Sequence, residues 1–239
     1  MGINIHTSMT DIHCHILPNV DDGANSLETA ISMIKKQILD GVTTIVLTPH
    51  VRSFRKEKQA LIDSQYQLLK TEVEKQKLAV KLILGKEIYY NNDTVEHVSL
   101  MAFENTNYTL VEFSTVLETP IEEAAFNIKT LKLIPIIAHI ERYEYLKKHD
   151  YLEIKKSGAV IQVNSSAILG LDGRKRKQAA RYLLKKELVD VVSSDSHNMD
   201  TRKPNLLEAY TYVSKKYSKT YADKIFKENP ESVVLNKKI

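Results

Sequence analysis

Residues 10–23 read TDIHCHILPNVDDG and place two of the chain's 8 histidines around its only cysteine, followed by two aspartates and a glycine. Side chains on a strand repeat every second residue, so a strand here would turn Asp11, His13 and His15 to one face. Ile12, Cys14 and Ile16 would take the other. Two imidazoles and a carboxylate aimed at one point from a strand end are the donors of a metal site. Further donors recur at the ends of later apolar runs: His50 in LTPH, Glu87 in LGKEIYY, Glu112 in LVEFS, His139 in IIAHIERY, and Asp195 and His197 in SSDSH. Asp22 would join them from the first loop. Singly, each has a plainer reading: a hydrogen-bonded histidine, a buried Glu112 paired with an arginine, or Asp195 as a helix cap. Their coincidence at so many strand ends favours a metal centre. Imidazole and carboxylate without thiolate suit manganese, iron or zinc, and the number of carboxylates favours several ions, because one acid can bridge two. Cys14 is expected in the core, and His6, His97 and His149 at the surface.

The elements that must position these donors are legible as short β-branched runs: TDIHCH, TTIVLTPH, VKLILGKEI, YTLVEFS, IPIIAHI, VIQVNSS and DVVSSDSH. Their continuous apolar character fits strands buried on both faces, as in a parallel sheet. Helical patterns lie between most of them. Asn25 with Glu28 resembles a capping box ahead of Leu27, Ile31, Ile34 and Ile38. Residues 56–79 form a long charged amphipathic pattern, and others run from Pro120 to about Lys132, from Lys147 to Lys156 and from Lys175 to Glu187. A helical tail follows Pro204. Seven strands alternating with helices predict a closed or nearly closed parallel α/β barrel, in which all strand ends meet at one face. An open doubly wound sheet is the alternative, but no glycine-rich phosphate loop follows any strand.

The 239 residues, 43% hydrophobic and 27% charged, are those of an ordinary globular chain, and nothing divides 9–239 into more than one domain. Residues 1–8 (MGINIHTS) read as a short leader or an added remnant ahead of a natural start at Met9. No apolar run reaches the roughly 20 residues that span a bilayer, so no membrane insertion is expected. One cysteine excludes an internal disulfide and fits a reducing cytoplasm. The net charge of +4 is mildly basic. Its densest stretch, GRKRKQAARYLLKKE, reads first as a solvated helix face and second as a guide surface for an acidic ligand. Nothing resembles a groove-reading helix or stacking platform, so nucleic acid is not an expected partner.

The ordered set DIHCHILPNVDDG, TTIVLTPH, GKEIYY, LVEFS, PIIAHIERY, QVNSS and SSDSHNMDTRKP resembles the polymerase-and-histidinol-phosphatase (PHP) superfamily. Within it, the chain looks like the manganese-dependent bacterial protein tyrosine phosphatases of CpsB/CapC type, from capsule and exopolysaccharide operons. The resemblance implies a distorted (β/α)7 TIM-like barrel with three metal ions, manganese foremost and iron or zinc as alternatives, at the C-terminal strand ends. By matching motif, His13, His15, Glu87 and Asp195 would hold one ion. Glu87 would bridge to a second, held also by Glu112 and His139, and Asp22, His50 and His197 would hold the third. Arg142 and Arg202 match arginines that contact the substrate phosphate. The implied reaction is hydrolysis of phosphotyrosine on the tail of an autophosphorylating bacterial tyrosine kinase by metal-activated water, which regulates capsular polysaccharide synthesis.

Cysteine-based phosphatase chemistry needs C-x5-R, and position 20 is Val20. No G-x-S-x-G elbow supports a serine hydrolase. The remaining rivals are a histidinol-phosphate-type phosphatase, a phosphodiesterase or an amidohydrolase, and a non-catalytic phosphotyrosine-binding module. The last would be favoured by missing ligand positions, and none is missing.

Overall fold

The computed structural model describes residues 8–239. The reading of the first eight residues as a leader or remnant, and of His6 as a surface residue, therefore falls almost wholly outside the described residues. The chain is α/β, with every strand pair parallel. Its strands are β1 (Met9–Cys14), β2 (Val42–Leu47), β3 (His50–Val51), β4 (Lys81–Leu84), β5 (Glu87–Tyr89), β6 (Tyr108–Glu112), β7 (Ile134–Ile137), β8 (Val160–Asn164) and β9 (Val191–Ser193). The helices between them are α1 (Leu27–Leu39), α2 (Lys56–Lys75), α3 (Asn92–Glu96), α4 (Ile121–Thr130), α5 (Lys148–Lys156), α6 (Ser165–Leu169) and α7 (Arg174–Lys185). The expected C-terminal tail is helical, beginning with α8 (Leu206–Lys216).

All seven expected runs are strands, but two are broken. Hydrogen bonding follows the orders β1-β2-β4 and β3-β5-β6-β7-β8-β9. The first break falls at Thr48–Pro49, where proline has no N–H to give the ladder. The second falls at Gly85, where a Cβ would lie 2.6 Å from the Phe103 ring and 2.8 Å from Val46. Because β3 follows β2 and β5 follows β4 along the chain, the two ladders form one curled sheet. Its outer strands approach each other at their C-terminal ends, where Asp195 N–H donates to His13 O and His15 N–H to Ser196 O, both at 2.8 Å.

Every run contributes to a buried cluster inside the curl, through Ile12, Val46, Ile83, Leu110, Ile136, Val160 and Val191 among others. Each stabilises the fold by about 1.5–3 kcal/mol relative to exposure. A larger cluster lies between the sheet and the helices. Strand periodicity then sets what stands above the inner layer. Two or four residues beyond Leu110, Ile83, Val160 and Val191 come Glu112, Glu87, Gln162 with Asn164, and Asp195.

The first strand departs from strict alternation. Its pairing with β2 is irregular between Asp11 and Cys14, and an extra residue in a strand turns the following side chains over. Ile12 consequently joins the inner cluster, while Asp11 accepts hydrogen bonds from Gln37 of α1 at 2.7 Å and from Ser194. His13 and His15 still face the site, without Asp11. The cap of α1 also differs from expectation. Ser26, not Asn25, accepts from the Thr29 N–H, and Asn25 accepts instead from the Thr29 hydroxyl.

Candidate metal centre

The nine expected ligands converge at the C-terminal strand ends. His13 Nε2 and His15 Nε2 are 3.3 Å apart. They lie 3.4 and 3.2 Å from Glu87 Oε2, and 3.5 and 3.4 Å from Asp195 Oδ1. On the other side of Glu87, its Oε1 is 2.9 Å from His139 Nε2, which is 3.6 Å from Glu112 Oε1. The exposed Asp22 places Oδ1 3.4 Å from His50 Nε2 and 3.5 Å from His197 Nε2. His50 also sets Nδ1 2.9 Å from Glu87 Oε2, and the donors of His15 reach those of Asp22, His50 and His197. His15 and His50 thus each border two groups.

These residues fit divalent cations on the chemistry of the donors. Glu87 Oε2, Glu112 Oε2 and His197 Nε2 are buried and make no hydrogen bond among the described residues. Lone-pair atoms face lone-pair atoms, an arrangement that cannot satisfy itself. Separations of 3.2 to 3.5 Å within the first group are those of ligands sharing one ion bonded at about 2.0–2.2 Å. Electrostatics agree. Burial, with the Glu87 charge beside it, pushes the Glu112 carboxyl up to about 7. Burial and the nearby Arg142 charge push His139 down to about 4. A cation between the two glutamates would remove their conflict. Two expected ligands also hold left-handed backbone, His139 at φ 31° and Asp195 at φ 49°. Such non-glycine conformations concentrate at functional sites.

The first loop is pinned beside the centre by close packing. A Cβ at Gly23 would lie 2.1 Å from His15 O, so only glycine lets the loop return there, where Ala24 N–H donates to that oxygen at 3.0 Å. Asp21, which the sequence reading passed over, accepts from His15 Nδ1 at 2.8 Å and from the His50 N–H at 2.9 Å. Burial opposes its charge, but the His15 contact holds its carboxyl well below the usual range. That acceptor leaves His15 Nε2 free to face the donors around it. The available signal was its place beside a ligand-type aspartate in DDG.

Arg142 and Arg202 both reach the centre. Each sets Nη2 2.8 Å from Asp195 Oδ2, the oxygen turned away from the histidines. Arg142 Nε is buried without a hydrogen-bond partner among the described residues. A groove of about 800 Å³ opens from Asp22 and His50 along Arg52, Arg55 and Lys58. His149 is exposed, whereas His97 stacks on Phe54 at 4.2 Å.

Cys14 lies away from the centre, fully buried in the outer core, with Sγ 3.4 Å from Val46 O. Burial pushes its thiol well up, so it holds its proton. Cys14→Ser is expected to leave kcat/KM within about twofold while costing about 1 kcal/mol of stability. Turnover and thermal unfolding of the variant check this, and a loss of turnover in a folded variant would contradict the placement.

Residues 9–235 match the family described as capsular polysaccharide synthesis, CpsB/CapC. The tyrosine-protein phosphatase CpsB of Streptococcus agalactiae is 38% identical over 240 residues, spanning 95% of this chain and 99% of the relative. The tyrosine-protein phosphatase YwqE of Bacillus subtilis is 30% identical, spanning 97% and 93%. A crystal structure from work on YwqE of Bacillus subtilis and CpsB of Streptococcus pneumoniae, described as unique metal-dependent tyrosine phosphatases, superposes with a TM-score of 0.88. It shares 28% identity and covers 97% of this chain and 96% of that one.

Proposed function

The chain belongs to the CpsB/CapC family of capsular polysaccharide synthesis, and from that premise we propose that it is a metal-dependent protein tyrosine phosphatase. Its substrate is phosphotyrosine on the tail of a bacterial autophosphorylating tyrosine kinase. The observation that carries this reading is the convergence of the nine donors with two arginines. Three divalent cations, manganese foremost and iron or zinc as alternatives, would be held by His13, His15, Glu87 and Asp195, by Glu87, Glu112 and His139, and by Asp22, His50 and His197. Bound there, such cations would supply activation of water near neutral pH and neutralisation of phosphoryl charge.

The chain's own groups do the rest. Arg142 and Arg202, anchored on Asp195, present planar donors to the phosphoryl oxygens. Arg142 Nε, buried and without a hydrogen-bond partner among the described residues, is a donor still open to this task. A tyrosine phenolate, with an ordinary pKa of about 10, is a moderately good leaving group. The groove beyond His50 leaves room for the chain that carries it. The curled sheet supports a closed or nearly closed, distorted (β/α)7 barrel of one domain spanning 9–239. No helix among the described residues is long and apolar enough to cross a membrane, and the unpaired Cys14 suits a cytoplasmic setting.

The kinase tail is guided by the basic face of α7, which packs against the turn that carries Arg142. Arg174 and Arg181 are exposed there, whereas Lys175 is already paired with Glu144. Reversing both arginines to glutamate is expected to raise KM for an acidic phosphotyrosine peptide several-fold at low salt. The difference should close as salt screens it, and a small aryl phosphate should be unaffected. An unchanged KM for the peptide at low salt would remove α7 from the account.

Substrate class is tested by comparing kcat/KM for a phosphotyrosine peptide and for histidinol phosphate with the manganese-loaded protein. The reading requires the peptide to be preferred by at least about tenfold, or about 1.4 kcal/mol in the transition state. Preference for histidinol phosphate would keep the centre and move the function to small-molecule metabolism. Peptide binding without phosphate release would make the protein a binding module.

A further inference from the structure

Strand β8 supplies none of the nine donors, yet it stands between β7 and β9, whose ends carry His139 and Asp195. Its residues Gln162 and Asn164, two apart and both fully buried, face the centre from beneath. Gln162 Oε1 lies 2.6 Å from the His139 backbone nitrogen and 3.2 Å from His13 Nδ1. Gln162 Nε2 lies 2.8 Å from Asn164 Oδ1, and Asn164 Nδ2 lies 2.7 Å from Asp195 Oδ2.

The direction of every bond follows from one of them. A backbone N–H can only donate, so the Gln162 atom facing His139 is the carbonyl oxygen. The same oxygen must accept from His13 Nδ1, which places the proton on Nδ1 and leaves the Nε2 lone pair toward His15, Glu87 and Asp195. The opposite end of the Gln162 amide is then a donor, and Asn164 Oδ1 accepts it. Asn164 in turn offers only N–H to Asp195, so Oδ2 is engaged and Oδ1 is left facing the histidines. Asn164 is itself fixed by the buried Glu141, whose Oε1 accepts from the Asn164 N–H at 3.2 Å.

We propose that Gln162 and Asn164 act as one positioning unit that sets the tautomer of His13 and the orientation of Asp195 for the cation those residues share. The proposal rests on the reading that His13, His15, Glu87 and Asp195 hold a cation. It assigns Gln162 the larger part, because Asp195 Oδ2 keeps two arginines when Asn164 is lost, whereas Nδ1 of His13 has Gln162 Oε1 as its acceptor. Partners of this kind set which ring nitrogen faces a metal, and their loss costs about 10–100-fold in affinity.

The test uses the full chain, stripped of metal and titrated with zinc in a calorimeter, with imidazole nitrogen and proton spectra of the zinc-loaded protein. In the native chain, His13 should show a protected Nδ1–H and bind zinc through Nε2. Gln162→Leu should weaken the zinc site containing His13 about 10–100-fold, leave the site of Asp22, His50 and His197 unchanged, and expose or abolish the His13 Nδ1–H signal. Asn164→Ala should weaken the same class less. Gln162→Glu keeps an acceptor for both His13 and His139, so it should retain the Nδ1–H signal, shifted downfield by the charged acceptor. Native zinc affinity or an unchanged His13 signal in a folded Gln162→Leu variant would overturn the proposal. If that variant does not fold, loss of the signal in Gln162→Glu overturns it instead. Absence of zinc binding by the native chain would overturn the metal centre itself, and this proposal with it.

Discussion

Replacing Glu87 with alanine is expected to lower phosphotyrosine turnover by more than about 100-fold, beyond what loss of a ligand's outer partner costs. Glu87 is buried at the middle of the centre, with oxygens within 3.4 Å of His13, His15, His50 and His139. No other expected ligand faces donors of all three groups so directly. On the proposed reading, losing it takes a ligand from two ions at once and leaves neighbouring cations to repel each other without an anion between them. Glu87→Gln separates charge from volume: it keeps the packing but gives up one anionic oxygen, and should also lose metal. Metal content per chain, measured beside turnover and thermal unfolding, checks the cause. A folded Glu87→Ala chain that retains full metal and activity would show that Glu87 is not the bridge.

The second large effect is expected at Arg142. Arg142→Ala should reduce kcat/KM by about 100-fold or more, the scale of removing one donor from a charge-stabilising site. Its side chain is largely buried and bound to Asp195 through Nη2, and its Nε makes no hydrogen bond among the described residues. Arg202 is more exposed on the same carboxylate oxygen, so Arg202→Ala should cost less. The two roles of Arg142, holding Asp195 and meeting phosphate, predict different signatures. Asp195 keeps Arg202 and Asn164 in the Arg142→Ala variant, so metal content should stay near native while KM rises and kcat falls. Arg142→Lys should recover part of the loss through charge but not the planar pair of donors. Loss of metal in step with activity would instead make Arg142 a support for Asp195 alone.

Much of this centre was legible in the residue order because a parallel sheet turns sequence position into spatial position. A donor at the end of each apolar run needs only the strands to align for the donors to meet, and His50, Glu87, Glu112, His139 and Asp195 meet that way. What was not legible depends on local departures from regular strands. The irregularity in β1 separates Asp11 from His13 and His15, and alternation alone could not foresee it. The breaks at Pro49 and Gly85 divide runs that read as continuous, although proline and glycine were visible at both points. Gln162 and Asn164 carry no charge and resemble ordinary strand polar residues; their importance comes from neighbours more than 20 residues away. Arg202 reaches Asp195 from only seven residues along the chain, but Arg142 joins it there only once β7, β8 and β9 are aligned.

The most direct measurement is phosphate release from a phosphotyrosine peptide by metal-stripped protein, with manganese, zinc and magnesium returned separately and a thiol-alkylating reagent included in parallel. The account predicts no release from the stripped chain, strong restoration by manganese and no effect of alkylation, since Cys14 is buried away from the centre. Full release without any metal, or its abolition by alkylation at native metal content, would contradict it.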